Sequence, residues 1–229
     1  MFAPENFIAT TVKLEQVIAE NLSTLTNHYF TMRHPQAVVN TDRNKVLHSK
    51  KDEQLDTPEK TGITKKGMSQ LRDACDEILE KISKDKKVLI ATSPLIRCSE
   101  SANFLCQVLS QEGYDVELVV MDEFIDRDWG ELEGEPVEAW EGIRATDSED
   151  LVSDKGVESQ VDFFKRMVNG VNACEERIQG AQVLLISHCD ALQVIDSILM
   201  REVKEHYSEH PEYKNAQIKD FPLLSLIHI

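Results

Sequence analysis

The chain has 229 residues, of which 41% are hydrophobic, and a formal net charge of −16. That length supports one sizeable core. The acidity argues against nucleic acid or an anionic membrane as the main partner, and it obliges any anion pocket to gather several cations locally.

Apolar positions at Val12, Leu14, Val17, Ile18 and Leu22 have helical spacing and predict an N-terminal helix to about Thr24, an outer addition within residues 1–26. Tyr29-Phe30-Thr31 suits a pleated surface, so a first strand is expected near His28 to Arg33. Pro35 cannot donate a ladder hydrogen bond and should stop it. From Pro35 to about Gly62 the chain is polar and aperiodic, a long loop of the kind that is usually functional or mobile. Met68, Leu71, Cys75, Ile78 and Ile82 then mark an amphipathic helix with Thr64 as its N-cap. Lys87 to Thr92 reads as a buried strand. A helix through Cys98, Ala102, Leu105 and Leu109 follows, ending at Gly113, and Val116 to Val120 is the third strand.

Met121 to about Gly156 is irregular and acidic and carries both tryptophans. A short helix near Val137 to Ile143 is expected there, and residues 135–156 read as a variable acidic insertion. The next helix carries Val157, Val161, Phe164, Val168, Val171 and Ile178 on one face. Val183 to Ser187 is the fourth strand, and Ala191 to Met200 the helix after it. Ala216 to Lys219 and Leu223 to His228 are candidate edge strands. Strands alternating with helices imply a mostly parallel sheet in an α/β chain, a three-layer α/β/α sandwich forming one domain over 1–229. Cys75, Cys98, Cys106, Cys174 and Cys189 are odd in number and form no Cys-x-x-Cys pair, as reduced thiols do. The first residues lack the basic start and apolar core of a signal peptide, and no apolar run approaches a membrane span, so a soluble cytoplasmic protein is expected.

In a parallel sheet the strand ends share one edge. Arg33-His34 follows the first strand, Ser93-Pro94-Leu95-Ile96-Arg97 the second, the stretch from Asp126 the third, and Ser187-His188 the fourth. Two histidines, two arginines and a carboxylate therefore converge. Arginines match the charge and shape of a phosphate, a neutral imidazole can attack phosphorus, and a carboxylic acid can protonate the leaving oxygen. No metal-ligand spacing is visible, and no cofactor is implied.

The same residues resemble the histidine phosphatase superfamily, also called phosphoglycerate mutase-like. Arg33-His34-Pro35 matches its Arg-His-Gly tripeptide, with Asn40 five residues beyond. Asp56 and Ile63-Thr64-Lys65-Lys66-Gly67-Met68-Ser69-Gln70 match its Asp and Leu-Thr-x-x-Gly-x-x-Gln segment. Ser93 to Arg97 matches Ser-Pro-Leu-x-Arg, Asp126 through Gly134 resembles the acid and its Gly/Trp loop, and His188 matches the second histidine. The resemblance runs from about Phe30 to Ala191 in the correct order. It implies a phosphoglycerate mutase-like fold with His34 as the nucleophile that becomes phosphohistidine. Arg33, Arg97 and His188 would form the phosphate pocket, Asp126 would be the acid/base, and Asn40 would assist on the phosphate side. His28, His48, His206, His210 and His228 are left with no catalytic role.

The sequence departs from the family at four points. Pro35 replaces Gly, Cys189 stands where Gly usually follows the second histidine, Ala37 replaces Ser or Thr, and Asp126 is one methylene shorter than Glu. Asn40 to Thr64 lacks the Trp-bearing segment of phosphoglycerate mutases, which favours hydrolysis of a small phosphorylated substrate. Mutase-type phosphoryl transfer and a weakly active phospho-ligand-binding module are the alternatives.

Overall fold

The computed structural model describes residues 4–41, 48–50, 52–136, 139, 143, 147, 155–204 and 206–223. In chain order the elements are α1 (Pro4–Asn21), β1 (His28–Arg33), α2 (Pro58–Thr61), α3 (Lys65–Lys81), β2 (Val88–Thr92), α4 (Ile96–Gln111), β3 (Val116–Val120), α5 (Gln160–Arg177), β4 (Gln182–Ser187), α6 (Cys189–Met200) and β5 (Ile218–Phe221). The sheet order is β3-β2-β4-β1-β5. β3, β2, β4 and β1 pair in parallel, and β5 adds antiparallel to β1.

Side chains alternate across each strand, so every inner strand feeds two cores. Tyr29, Leu89, Ala91, Val183 and Leu185 face one side, where residues from α1, α5 and α6 cover them. Phe30, Met32, Val88, Ile90, Leu184 and Ile186 face the other, against α3 and α4. β4 is buried along its whole length. The near-continuous apolar runs of β2 and β4 follow from this burial on both faces. The expected three-layer sandwich is the observed fold.

Several boundaries differ from expectation. α1 starts at Pro4, well before Val12. Proline is tolerated in a first helical turn, and Val12 itself faces solvent while Leu14, Val17 and Ile18 are buried. α5 starts at Gln160, because the Ser159 hydroxyl caps it by accepting from Asp162 N at 3.1 Å. Val157 instead packs with Trp129, Leu132 and Ile143 in a separate small cluster. The last strand lies at Ile218–Phe221 rather than Ala216–Lys219, because Ala216 takes a positive φ of 59° and turns the chain. Leu223 is not in a strand, and the rest of the expected Leu223–His228 strand lies outside the described residues, as does most of the Val137–Ile143 helix. The long loop after β1 contains a 3-10 turn at Val38–Asn40 and the short helix α2.

The start of α3 fixes that loop beside the sheet edge. Gln36 O accepts from Thr64 N at 3.0 Å, and Gln36 N donates to Gln70 Oε1 at 2.9 Å. Between them, a Cβ on Gly67 would lie 2.1 Å from Gln36 O. Thr64, Gly67 and Gln70 thus all hold one residue, Gln36, two positions after His34.

Ala normally stabilises a helix interior over Gly by ~1 kcal/mol. Here Gly67→Ala should do the reverse, costing about 1–3 kcal/mol in urea unfolding because backbone must move. A variant as stable as the parent or more so would show that the close approach is not needed.

Candidate active site

Each site side chain stands where a parallel strand ends. The peptide of His34 continues the ladder, donating to Ser187 O at 3.0 Å, which sets the ends of β1 and β4 side by side. His34 therefore lies next to His188, the N-cap of α6, with ring centroids 5.3 Å apart. β2 leaves through Ser93-Pro94-Leu95 into α4, whose second residue is Arg97. Arg97 Nε donates toward His34 Nε2 at 3.3 Å, and the Ser93 hydroxyl lies 2.8 Å from His188 Nε2. The stretch after β3 brings Asp126 Oδ2 to 4.0 Å from His188 Nδ1. His34, His188, Arg97 and Asp126, with Arg33 and Asn40, line one cavity of about 370 Å³.

The predicted residues thus come together, and each is held. His34 Nδ1 lies 2.8 Å from Pro35 O. A carbonyl can only accept, so Nδ1 carries the proton and Nε2 keeps its lone pair, which faces Arg97 Nε. Arg33 Nη1 donates to Tyr213 O. Asp126 sits in a loop whose carbonyls converge on one guanidinium. Arg166 donates to Glu123 O at 2.8 Å, Ile125 O at 2.9 Å and Asp126 O at 3.2 Å, and pairs with Glu158. Arg127, next to Asp126, is buried against Asp147 and Glu158 O. Asn40 lines the cavity and also braces its loop. Its Oδ1 accepts from Ala37 N at 3.0 Å and from Asn215 Nδ2 at 3.4 Å, and Asn215 Nδ2 also donates to His34 O at 3.2 Å.

The electrostatics are those of an anion site. Burial, and then the charges of Arg97 and Arg33, push the His34 pKa well below its usual value. Burial, Arg97 and His34 do the same to His188. Both rings are therefore neutral near neutrality. Arg33 Nε and Arg97 Nη1 are buried and have no hydrogen-bond partner. Such orphaned donors cost about 1–3 kcal/mol each unless something accepts from them, and an oxyanion does so. Burial and the neighbouring Asp190 carboxylate push the Asp126 pKa up to about 7. Asp190, two residues after His188, is itself raised by burial. The pair therefore keeps a proton available under conditions where an ordinary carboxyl has lost it. Among the described residues, no group of three or more His, Cys, Asp or Glu is arranged to hold a metal.

The histidine phosphatase superfamily (branch 1) matches residues 30–221. The chain belongs to this superfamily. No curated protein matches it. Among solved structures it is similar to the mycobacterial glucosyl-3-phosphoglycerate phosphatase in complex with VO3, at 20% identity and a TM-score of 0.63, over 85% of this chain and 92% of that one. It is also similar to the alpha-ribazole phosphatase from Shigella flexneri, at 17% identity and a TM-score of 0.58, over 83% and 88%. A third is YhfR from Bacillus stearothermophilus, at 17% identity and a TM-score of 0.63, over 84% and 89%. These likenesses match the fold described above.

Motif reading alone did not find every residue that lines the cavity. His48, set aside with the other histidines, lines the cavity, as do Asp190, Trp129, Glu212 and Asn215. His28, His206 and His210 are engaged elsewhere, with Asp220, Asp147 and Ser197 respectively. His228 lies outside the described residues. Asp190 had a legible signal, since it follows His188 into the first turn of a helix. His48 and Glu212 sit in aperiodic segments that carry none.

Asp126 also makes a stability prediction. Its folded pKa lies above the unfolded value near ~3.9, so its ionisation opposes folding. The penalty is absent at low pH, grows as pH rises toward about 7, and is full above that. Asp126→Asn should therefore raise thermal stability at pH ~8 by about 1–2 kcal/mol, with no gain at pH ~4. Melting curves at the two pH values check this.

Proposed function

We propose that the protein is a phosphomonoester hydrolase that acts through a phosphohistidine on a small phosphorylated metabolite. The observation that carries the reading is the meeting of His34 Nε2, a neutral lone pair, with two arginines whose buried nitrogens lack partners. In the first step Nε2 attacks phosphorus, the ester P–O bond breaks, and the leaving oxygen takes the Asp126 proton. In the second, water gives a proton to the Asp126 carboxylate and attacks phosphorus. The N–P bond then breaks, which restores neutral His34. Arg33, Arg97 and His188 stabilise charge on the equatorial oxygens in both steps, and Asn40 keeps the loop after His34 in place.

Relatives of the same fold, named as phosphatases of glucosyl-3-phosphoglycerate and alpha-ribazole phosphate, support a small metabolite ester as substrate. The cavity of about 370 Å³ suits that size. Pro35 does not argue for an inactive binding module. Its carbonyl makes the contact His34 needs, and it does not have a positive φ.

An alkaline detergent quench after mixing with a radiolabelled phosphomonoester should trap label that is base-stable and is released by acid. His34→Ala should lose the label and at least ~10³-fold in kcat, as loss of a covalent nucleophile does. Full activity in His34→Ala would falsify the nucleophile assignment. Activity should also fall as pH rises through about 7, when Asp126 loses the proton it donates. A rate that keeps rising past that point would remove Asp126 as the acid.

A further inference from the structure

His48 lines the cavity, and the segment it begins, residues 48–50, is tied at two points. The Glu133 carboxylate accepts from Ser49 N at 2.6 Å, Ser49 Oγ at 2.9 Å and Lys50 N at 3.1 Å. The His48 imidazole lies between that carboxylate, 3.3 Å from Nδ1, and Asp56, 3.9 Å from Nε2. Asp56 reaches the other way as well. Its Oδ2 accepts from Ile96 N at 3.0 Å, at the first residue of α4 and next to Arg97. Arg97 closes the circuit, because its Nη2 donates to His48 O at 2.8 Å.

One terminal nitrogen of the Arg97 guanidinium is therefore anchored by the backbone of His48, while Nη1 is buried without a partner. Nothing else in the hydrogen bonds of the described residues holds Arg97 except its contact with His34 Nε2. The His48 side chain is only 10% exposed, and its Nε2 is buried without a hydrogen-bond partner beside Asp56.

We propose that His48 is a positioning residue for phosphate binding: its imidazole, seated between Asp56 and Glu133, fixes the carbonyl that aims Arg97. The inference rests on the reading of Arg97 as a phosphate ligand. Its charge logic follows from the charged groups that face the ring among the described residues, Asp56, Glu133 and Arg97. Burial disfavours the cation and Arg97 opposes it, while the Asp56 and Glu133 carboxylates beside the ring favour it, and the net effect raises the His48 pKa. When His48 loses its proton, the segment loses its charge attraction to Asp56 and Glu133 and keeps only the neutral hydrogen bonds from Ser49 and Lys50 to Glu133. The imidazolium then no longer offsets the two carboxylates beside the phosphate pocket. Phosphate binding should therefore weaken as pH rises through the His48 titration. This effect differs from loss of the Asp126 proton, which acts on the leaving oxygen and hence on kcat.

The test measures the Kd of inorganic phosphate by calorimetry, and KM and kcat for nitrophenyl phosphate, in wild type, His48→Ala and His48→Gln. His48→Ala should raise both Kd and KM about tenfold while kcat changes less than about threefold, the scale of one misaligned charge-assisted hydrogen bond. His48→Gln retains a polar donor but no charge, so it should recover part of the affinity. Because phosphate's own ionisation cancels in the ratio of the two proteins, that ratio should lose its pH dependence above the His48 titration. If His48→Ala does not fold, His48→Gln decides alone. Equal Kd and an unchanged pH profile in the folded variants, with wild type active and labelled at His34, overturn this inference and leave the phosphatase reading intact. A wild type that binds no phosphate overturns both.

Discussion

Two guanidinium groups without carboxylate partners, set against two buried imidazoles, are the constraint on which the rest of the site depends. Other arginines of this acidic chain do pair with carboxylates, Arg127 with Asp147, Arg166 with Glu158 and Arg177 with Glu117. Among the described residues, Arg33 and Arg97 form no such pair. Keeping them unpaired holds His34 and His188 neutral, since each ring lies in a positive field as well as in a poorly hydrated place. A neutral ring is a nucleophile and a cation is not. The unpaired arginines therefore serve two ends at once: they leave room for an anion and they keep a lone pair on the atom that would attack it.

The scaffold absorbs the cost of that arrangement by fixing everything around it. Arg33 is held by a carbonyl, that of Tyr213, rather than by a carboxylate. Tyr213 in turn is locked by its hydroxyl, which donates to Asp196 at 2.5 Å and meets the Thr31 hydroxyl at 2.6 Å. Carbonyls orient a guanidinium without neutralising it. Arg97 follows the same rule on the backbone of His48. The carboxylates are used one layer further out, where Glu158 and Asp147 fix the arginines that hold the Asp126 loop. Supporting partners of this kind are what keep reactive groups within the narrow geometry chemistry needs.

This layering explains what could and could not be read from the residues alone. The sheet was legible because β2 and β4 are short apolar runs between charged segments, and α3 because its apolar spacing and the Thr64 cap agree. His34, Arg97 and His188 were legible because each follows such a run directly, and a parallel sheet gathers those ends. The supporting groups were not. Arg166 lies on the polar side of an amphipathic helix, where a charge ordinarily means only solvent. His48 sits in a loop with no period to give it a direction. The Val157 boundary misled because its spacing continued the helix, while the Ser159 hydroxyl ended the pattern by capping it.

Pro35 shows what the position after the nucleophile demands. A glycine there offers left-handed backbone and a free N–H, and proline offers neither. Yet the chain around it uses other groups. His34 N makes the last ladder bond, to Ser187 O, and Gln36 N is taken by Gln70 Oε1, so the peptide nitrogen between them has no required partner. What the site does use is the carbonyl of residue 35, which fixes the His34 tautomer. Proline keeps that carbonyl and stiffens the segment that presents it, with Thr64, Gly67 and Gln70 clamping the next residue. The motif position is thus defined by an acceptor and an anchored neighbour, and a ring that locks φ satisfies it without backbone strain.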